Sequence, residues 1–91
     1  MAETQTDTRP SVLITGCTPG GIGNALAREF HARNLRIFAT ARSRSSISDL
    51  EELGIETLDL VVDDEESVKA LKKEVEGLLK GKGLDYLVNN A

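Results

Sequence analysis

The most constraining feature of this chain is a glycine-rich segment, Thr15-Gly16-Cys17-Thr18-Pro19-Gly20-Gly21-Ile22-Gly23, which joins a short apolar run to a segment of helical period. The run from Val12 to Thr15 is mostly β-branched and ends at Gly16, which is typical of a buried parallel strand. Residues 21–33 carry apolar side chains three and four positions apart, which predicts an amphipathic helix. A turn from a parallel strand into a helix leaves backbone N–H groups at the helix N-terminus free to meet an anion.

The helical period also predicts which face of this first helix is buried. Four apolar side chains and the stem of one arginine share that face, namely Ile22, Ala25, Leu26, Phe30 and Arg33. Asn34 comes next and is a candidate for the left-handed residue that ends the helix.

Short apolar runs and helical segments continue to alternate along the chain. Three more strands are predicted, at Arg36 to Ala41, Ile55 to Val62 and Leu84 to Val88. Alternating strands and helices with right-handed crossovers give a parallel sheet that is covered on both faces. The sequence therefore predicts an α/β fold of β-α-β-α-β-α-β order, the N-terminal half of a Rossmann-like domain, with strand order 3-2-1-4.

Two further helices are predicted between these strands. The shorter one covers residues 47–53 and is stopped by Gly54. The longer one begins after Asp63 or Asp64, and Asp63 has capping-box spacing to Glu66. Its apolar positions are Val68, Leu71, Val75 and Leu78.

Composition and charge exclude several classes of protein. The formal net charge is −4, with every arginine before residue 50 and every lysine after it, which argues against a nucleic-acid partner. No apolar run is long enough to span a bilayer. The single cysteine, Cys17, forms no internal disulfide, and no Cys/His cluster is present for a metal. The polar residues 1–10 are predicted to be a flexible tail, and residues 11–91 a partial dinucleotide-binding domain.

The glycines have separate expected roles in binding a diphosphate. Gly16 makes the turn out of the strand, Gly21 lets the backbone approach the phosphates, and Gly23 lets the helix pack closely on the strand. The alternative is a turn that serves close packing only. No Lys-Ser or Lys-Thr follows the glycines, so a P-loop is excluded. The candidate cofactor-binding residues of the loop are Thr15, Gly16, Cys17, Thr18, Gly21, Ile22 and Gly23; for Cys17 we expect a packing or backbone role rather than a redox one.

The loop resembles that of the short-chain dehydrogenase/reductase family, whose signature is Thr-Gly, three residues, then Gly-x-Gly. Here four residues separate Gly16 from Gly21-Ile22-Gly23. A Gly-Cys-x-x-Gly-Gly-Ile-Gly loop is similar to that of fungal members that use NADPH to reduce an acylated dihydroxyacetone phosphate. The resemblance implies an oxidoreductase that acts on a carbonyl or alcohol.

The end of the second predicted strand favours NADPH over NADH. An NAD site carries an acidic residue there, about 20 residues beyond the glycines, which accepts hydrogen bonds from the ribose hydroxyls. Ala41 occupies what resembles the family's acidic position, and Arg42 follows it. An arginine can make charge-assisted bonds to a 2′-phosphate. The alternative is that Arg42 and Arg44 are only solvated turn residues.

The resemblance implies roles in cofactor binding for two other positions. Relatives place an Asp followed by Val near the adenine ring, and Val61 stands at the position of that Asp. Asp63 is the nearest substitute, because residues two apart share a face if the strand persists, and its alternative role is to cap the next helix. Asn89-Asn90-Ala91 matches the start of the family's Asn-Asn-Ala-Gly motif, which implies that Asn90 lies beside the adenosine ribose.

The catalytic group of the family is not found in this sequence. Members use a Tyr, a Lys four residues later and an upstream Ser, whereas Tyr86 is followed four residues on by Asn90 and is interpreted as a packing residue. We therefore expect the NADPH-binding part of a longer carbonyl reductase; the alternative is a non-catalytic nucleotide-binding module. The lone cysteine fits a cytoplasmic location. The resemblance implies peripheral association with the endoplasmic reticulum or lipid droplets, and homo-oligomers as in many family members.

Overall fold

The chain forms a four-stranded parallel sheet with helices on both faces, and the computed structural model describes residues 8–90 of it. The strands are β1 Ser11–Ile14, β2 Arg36–Ala41, β3 Glu56–Asp59 and β4 Tyr86–Val88. The helices are α1 Ile22–Ala32, α2 Ser48–Glu52 and α3 Glu65–Leu79, and a 3₁₀ turn, Arg44–Ile47, leads into α2. The sheet order β3-β2-β1-β4 confirms the predicted order.

Two separate apolar layers cover the sheet because side chains alternate along each strand. One layer packs Ile14 and Ile37 with α1, α2 and the 3₁₀ turn, where Ile47 and Leu50 are fully buried. The other layer packs Leu13, Phe38 and Leu58 against α3, through Leu71, Val75 and Leu79. The central strand β2 has the predicted bounds, and burial on both faces explains its continuous apolar run.

The predicted buried face of α1 is confirmed at Leu26 and Phe30, which pack against the core, and is wrong at Ile22, Ala25 and Arg33. Ile22 is 70% exposed and Ala25 is also exposed, whereas Gly23 and Ala27 are buried and Phe30 is partly buried. The helix turns its smallest residues to the sheet because it crosses very close to the glycine-rich segment. A Cβ atom on Gly23 would lie 2.5 Å from the carbonyl oxygen of Gly16. Asn34 has a φ of 67°, which confirms the predicted left-handed end of the helix.

Strand β3 is shorter than predicted. The apolar pattern from Ile55 to Val62 predicts one strand, but pairing with β2 ends at Asp59, although the N–H of Leu60 still donates to Ala41 O at 2.8 Å. Beyond that point the backbone turns, because the N–H of Val61 donates to Ser67 Oγ at 2.9 Å. Val62 is left 49% exposed.

The N-terminus of α3 is capped by Asp64 and not by Asp63. The Asp64 carboxylate accepts the N–H of Glu66 at 3.0 Å and that of Ser67 at 3.4 Å. The capping-box spacing from Asp63 to Glu66 is therefore coincidental, since the helix begins at Glu65. Lys80, with a φ of 54°, and Gly81, with a φ of 86°, end the helix.

Strand β4 lies at the edge of the described sheet and is held in place by an aspartate. The Asp85 carboxylate accepts the N–H of Ser11 at 2.8 Å and its hydroxyl at 3.2 Å, which fixes β4 beside β1. Tyr86 is 60% exposed, so its interpretation as a packing residue is wrong. An edge strand has a neighbour on one side only, which leaves Leu87 64% exposed as well.

The predicted tail falls mostly outside the described residues, which begin at residue 8. The described part of residues 1–10 contacts the sheet. Pro10 O accepts the N–H of Arg36 at 2.9 Å, and Arg9 O accepts Lys82 Nζ at 3.4 Å. Arg9 and Pro10 are therefore bonded to the folded domain.

The close approach at Gly23 yields a stability prediction. We expect Gly23→Ala to lower the free energy of unfolding by about 1–3 kcal/mol, since its methyl group would displace the Gly16 carbonyl or the whole helix. The control is Gly77→Ala in α3, where a Cβ would meet nothing within 4 Å. Removing that helical glycine should raise stability by about 0.5–1 kcal/mol. Urea unfolding of both variants measures the difference; equal effects would contradict the close packing.

The Asp85 contacts yield a prediction about pH. Its bond to the Ser11 N–H, together with the Ser11 hydroxyl and the charge of Lys82, lowers the pKa of Asp85. A lowered folded-state pKa stabilises the fold above the unfolded value of about 4, and this stabilisation disappears as pH falls through the folded value. We expect the thermal midpoint of Asp85→Asn to fall less steeply than that of the parent between about pH 5 and pH 3. Glu52→Gln, at an exposed carboxylate of α2, should keep the parental slope.

Candidate functional site

The candidate site lies at the carboxyl edge of the sheet. In a parallel sheet the loops that follow all strands emerge at one edge, and ligands bind there where the strand order reverses. The order β3-β2-β1-β4 places that reversal between β1 and β4. The glycine-rich loop follows β1, Arg42 follows β2, and Asn89 and Asn90 follow β4. The structure thus brings most of the predicted site residues to one edge.

The shape of the glycine-rich loop depends on two left-handed residues. Gly16 has a φ of 69° and Gly20 a φ of 84°, values that side chains other than glycine rarely adopt. Between them the N–H of Cys17 donates to Thr40 O at 2.9 Å, and the N–H of Gly21 donates to Thr18 O at 3.2 Å. The loop is therefore a fixed turn braced against β2.

The N-terminus of α1 is uncapped by any side chain. Its N-cap residue, Gly21, offers none, and the first turn contains no acidic residue. The N–H groups of Ile22 and Gly23 find no acceptor in the part of the chain that the structure describes. Helix α3 is the opposite case, because Asp64 accepts two of its N–H groups. The start of α1 thus keeps the partial positive charge that binds anions.

The space beside this N-terminus exists because side chains are missing there. A Cβ on Gly23 would also lie 2.8 Å from Asn90 Nδ2, so helix, loop and β4 meet at this point. Gly21 is half-buried, and Thr18 and Ile22 are exposed at the mouth of the loop. Free N–H groups in a cradle without side chains fit the diphosphate of a dinucleotide.

Cys17 contributes to the loop from inside the core. Its side chain is fully buried, and its thiol donates to Ile14 O at 3.3 Å. Burial raises the pKa of the thiol, against the opposing effect of its bond to the Thr40 backbone. The thiol therefore stays protonated and packed. The backbone groups of Cys17 are also bonded within the protein: its N–H donates to Thr40 O, and its carbonyl oxygen accepts Asn24 Nδ2.

Thr15, Asn89 and Asn90 join β4 to the loop. Thr15 is buried; its Oγ1 accepts the N–H of Asn90 at 2.8 Å and donates to Asn89 Oδ1 at 3.3 Å. Asn90 Nδ2 donates to Gly16 O at 3.0 Å. The amide of Asn90 thus supports the left-handed turn at Gly16, and its place beside a ribose stays a prediction.

The two arginines after β2 have different environments. Arg44 is committed to the fold: its guanidinium donates to Thr57 O at 2.7 Å, and its N–H donates to Asp59 Oδ1 at 2.6 Å. Arg42 is exposed, and its guanidinium makes no ion pair or hydrogen bond with the residues described here. Arg42 therefore keeps a cation available at the carboxyl edge, next to the fixed turn that Arg44 anchors.

Asp63 is the predicted site residue with the weakest geometric support. The argument for it requires that β3 continue past Val61, but the strand ends at Asp59. Asp63 is exposed in the turn before α3 and does not cap that helix. Its contact with adenine stays a prediction that the strand geometry does not support.

Sequence reasoning missed a polar network beneath the loop. Asn24, in the first turn of α1, is only 5% exposed, and it contacts Arg28, Asp49 and the backbone of Cys17. The local sequence contains no signal for this buried position, because an asparagine near a helix start is usually an exposed capping residue. The partner Asp49, 25 residues away, had no signal in the sequence.

The Asp49 carboxylate is stabilised in its charged form. Its bond from Asn24 is the largest cause; together with smaller contributions from Arg28 and the Leu50 backbone it outweighs the opposing effect of burial and lowers the pKa of Asp49. Arg28 Nη2 lies 2.7 Å from Asp49 Oδ2. Asp49 is therefore ionised and can act as an acceptor throughout the neutral range.

An apolar cavity of about 510 Å³ lies away from the loop, between α3 and β4. It reaches the candidate site only at Thr15 and Asn89, and its walls are mostly Leu and Val side chains. A diphosphate needs N–H donors and positive charge, so this cavity is not the cofactor site. Among residues 8–90, no group of His, Cys, Asp or Glu is arranged for a metal ion, and no helix has the length and apolarity to cross a bilayer.

Comparison with known proteins gives a consistent result. The short chain dehydrogenase family matches residues 10–91. An NADPH-dependent 1-acyldihydroxyacetone phosphate reductase of Schizosaccharomyces pombe is 49% identical over 80 residues, which cover 88% of this chain and 27% of that protein. Short-chain dehydrogenase ptmH of Penicillium ochrochloron is 46% identical over 84 residues, covering 91% and 31%. Short-chain dehydrogenase srdE of Neurospora crassa is 49% identical over 79 residues, covering 87% and 27%.

These relatives are about three times as long as the chain, which spans 27–31% of their length. The matched part is the nucleotide-binding region, since it contains the glycine-rich loop, the sheet and the Asn89-Asn90 pair. The family match extends from residue 10 to residue 91. The protein therefore belongs to the short-chain dehydrogenase family, whose members bind a nicotinamide cofactor.

Proposed function

We propose that this chain is the NADPH-binding portion of a short-chain oxidoreductase that reduces a carbonyl to an alcohol. The observation that carries the proposal is an uncapped helix N-terminus at the glycine-rich loop, on the same sheet edge as the exposed cation of Arg42, which has no partner among residues 8–90. NADPH carries a diphosphate, which would lie at the helix N-terminus, and a 2′-phosphate, which would lie at Arg42. The same edge lacks a carboxylate at Ala41, where an NAD site would carry one.

The diphosphate would rest on the start of α1. The N–H groups of Ile22 and Gly23 are the available donors there, and the N–H of Gly21 is already used in the turn to Thr18. The absence of acids in the first turn of α1 keeps the helix dipole unopposed. Thr18 is exposed at the mouth of the loop, where its hydroxyl can donate to a phosphate oxygen.

Arg42 would distinguish NADPH from NADH. Its guanidinium can form two parallel bonds to a 2′-phosphate, a geometry that a lysine does not offer. Arg44 holds the turn that carries Arg42 through its bonds to Thr57 and Asp59, so the arginine starts from a fixed backbone position. Asn90 is assigned to the ribose side of the site, and Asp63 is retained as a candidate for adenine.

NADPH, when bound, supplies the hydride that adds to the carbonyl carbon. The Tyr-x-x-x-Lys pattern of the family does not occur among these 91 residues, since Tyr86 is followed by Asn90 four positions later. The chain's own residues therefore bind and orient the cofactor. The name of the 49% identical fission yeast relative supports 1-acyldihydroxyacetone phosphate as the first substrate to test.

A non-catalytic nucleotide-binding module is the second candidate function. It rests on the glycine-rich loop and the uncapped start of α1 alone, which are sufficient for nucleotide binding without a reaction. Sequencing the transcript separates the two. A glycine codon directly after Ala91, with a Ser and a Tyr-x-x-x-Lys further on, would support the reductase, whereas a stop codon after Ala91 would support the module.

The role of Arg42 is tested by cofactor titration. We expect Arg42→Ala to weaken NADPH binding at least about tenfold, because two charge-assisted bonds are lost, and to leave NADH binding within about twofold. The matched control is Arg33→Ala, which removes the same charge at the far end of α1, where the side chain of Arg33 pairs with the exposed Glu29. Isothermal titration calorimetry gives both affinities.

Two outcomes of this titration would count against the proposal. Equal affinity of the unmodified chain for NADPH and NADH would contradict the role of Arg42. An Arg33→Ala effect as large as that of Arg42→Ala would mean that net charge, rather than a bond to the 2′-phosphate, determines the affinity.

A further inference from the structure

A buried amide lies directly beneath the glycine-rich loop, in the first turn of α1. Asn24 is 5% exposed. Its Nδ2 donates to Cys17 O at 2.9 Å and to Asp49 Oδ2 at 3.0 Å, and its Oδ1 accepts Arg28 Nε at 2.8 Å. Both amide hydrogens and the carbonyl oxygen are thus engaged. Only a carboxamide provides two donors and an acceptor in this space, because a carboxylate cannot donate and an aliphatic side chain does neither.

The partner that holds Asn24 is itself fixed. Asp49 lies in α2 between Ile47 and Leu50, whose side chains are fully buried in the core. Arg28 Nη2 contacts the same carboxylate oxygen at 2.7 Å, so Asn24, Arg28 and Asp49 form a closed triangle of bonds. Charge-assisted bonds of this kind are stronger than neutral ones. The amide of Asn24 is therefore held from two sides and has one fixed orientation.

The orientation of Asn24 determines where a loop N–H points. A trans peptide unit is planar, and its C=O and N–H point in opposite directions. Because Asn24 draws the carbonyl of Cys17 inward, the N–H of Thr18 in the same peptide unit points away from the core. That N–H has no acceptor among residues 8–90. The network thus sets the direction of a free donor in the loop assigned to the diphosphate.

We propose that Asn24 is a positioning residue for the diphosphate-binding loop, and that Arg28 and Asp49 hold Asn24 in place. The inference rests on the proposed function, since it concerns the same loop. It adds a link between two parts of the site. Asp49 lies seven positions after Arg42 in the chain. The network therefore connects the glycine-rich loop to the segment that would bind the 2′-phosphate.

The structure offers a matched control at the opposite edge of the sheet. Arg36 and Glu56 form a two-bond ion pair, Nε to Oε2 at 2.7 Å and Nη2 to Oε1 at 3.0 Å, at the first residues of β2 and β3. This pair resembles the Arg28–Asp49 pair chemically but lies at the amino edge, away from the loop. Glu56→Ala therefore removes a comparable ion pair without touching the glycine-rich loop.

The test measures NADPH and NADH binding to Asn24→Ala, Glu56→Ala and the unmodified 91-residue chain. We expect Asn24→Ala to weaken both cofactors by about the same factor, about tenfold, because the diphosphate is common to them. Glu56→Ala should bind both within about twofold of the unmodified chain. Amide hydrogen exchange without cofactor should speed up across residues 15–21 in Asn24→Ala and not in Glu56→Ala.

A second pair of variants covers the case in which Asn24→Ala loses its cooperative thermal transition. Asp49→Asn keeps an oxygen that can accept from Asn24 and Arg28, whereas Asp49→Ala keeps none. We expect Asp49→Asn to bind NADPH within about threefold of the unmodified chain and Asp49→Ala to bind it about tenfold more weakly. Equal binding by these two variants would overturn the positioning role.

Failure of the inference can be told from failure of the proposed function. If the unmodified chain binds neither cofactor, the proposed function is wrong, and the inference falls with it. If the unmodified chain binds NADPH, but Asn24→Ala binds as well as Glu56→Ala, the proposed function stands and the inference is overturned. A loss for NADPH alone would also overturn it, since that result would place Asn24 at the 2′-phosphate rather than at the loop.

Discussion

The fold of this site depends on one close approach between backbone segments. Helix α1 crosses the glycine-rich loop so closely that a Cβ on Gly23 would lie 2.5 Å from the Gly16 carbonyl and 2.8 Å from the Asn90 amide. The loop and the start of α1 therefore meet the end of β4, 74 residues from Gly16, where a Cβ on Gly23 does not fit. This contact brings the N-terminus of α1 to the carboxyl edge of the sheet, and the other site residues are arranged around it.

The two long helices, α1 and α3, differ in how the N–H groups of their first turn are satisfied. Both α1 and α3 start at the carboxyl edge with free N–H groups in their first turn. In α3 the chain satisfies them itself with Asp64 and adds two acidic residues, Glu65 and Glu66. In α1 the chain provides neither. The chain thus neutralises the dipole of α3 and leaves that of α1 without an acidic side chain in its first turn, which is a difference in sequence and not in fold.

Much of the architecture follows from local pattern. Continuous burial makes β2 a recognisable apolar run from Arg36 to Ala41, and the strand order follows from alternation and crossover handedness. The errors occur where a tertiary contact overrides the pattern. The buried face of α1 is displaced from its apolar stripe because only small residues fit against the loop. The run from Ile55 to Val62 stops pairing at Asp59, because Ser67 captures the next free backbone N–H at Val61.

The sequence by itself determined the α/β order, the glycine loop at the end of the first strand, the missing acid at Ala41 and the basic residue after it, since each is written in local residue types and spacing. Only the tertiary structure decided that Arg44 anchors its turn while Arg42 bonds to no other residue in the described range, and that Asn24 lies under the loop. The physical reason is that these roles depend on partners such as Asp59 and Asp49, which chain folding brings from 15 and 25 residues away.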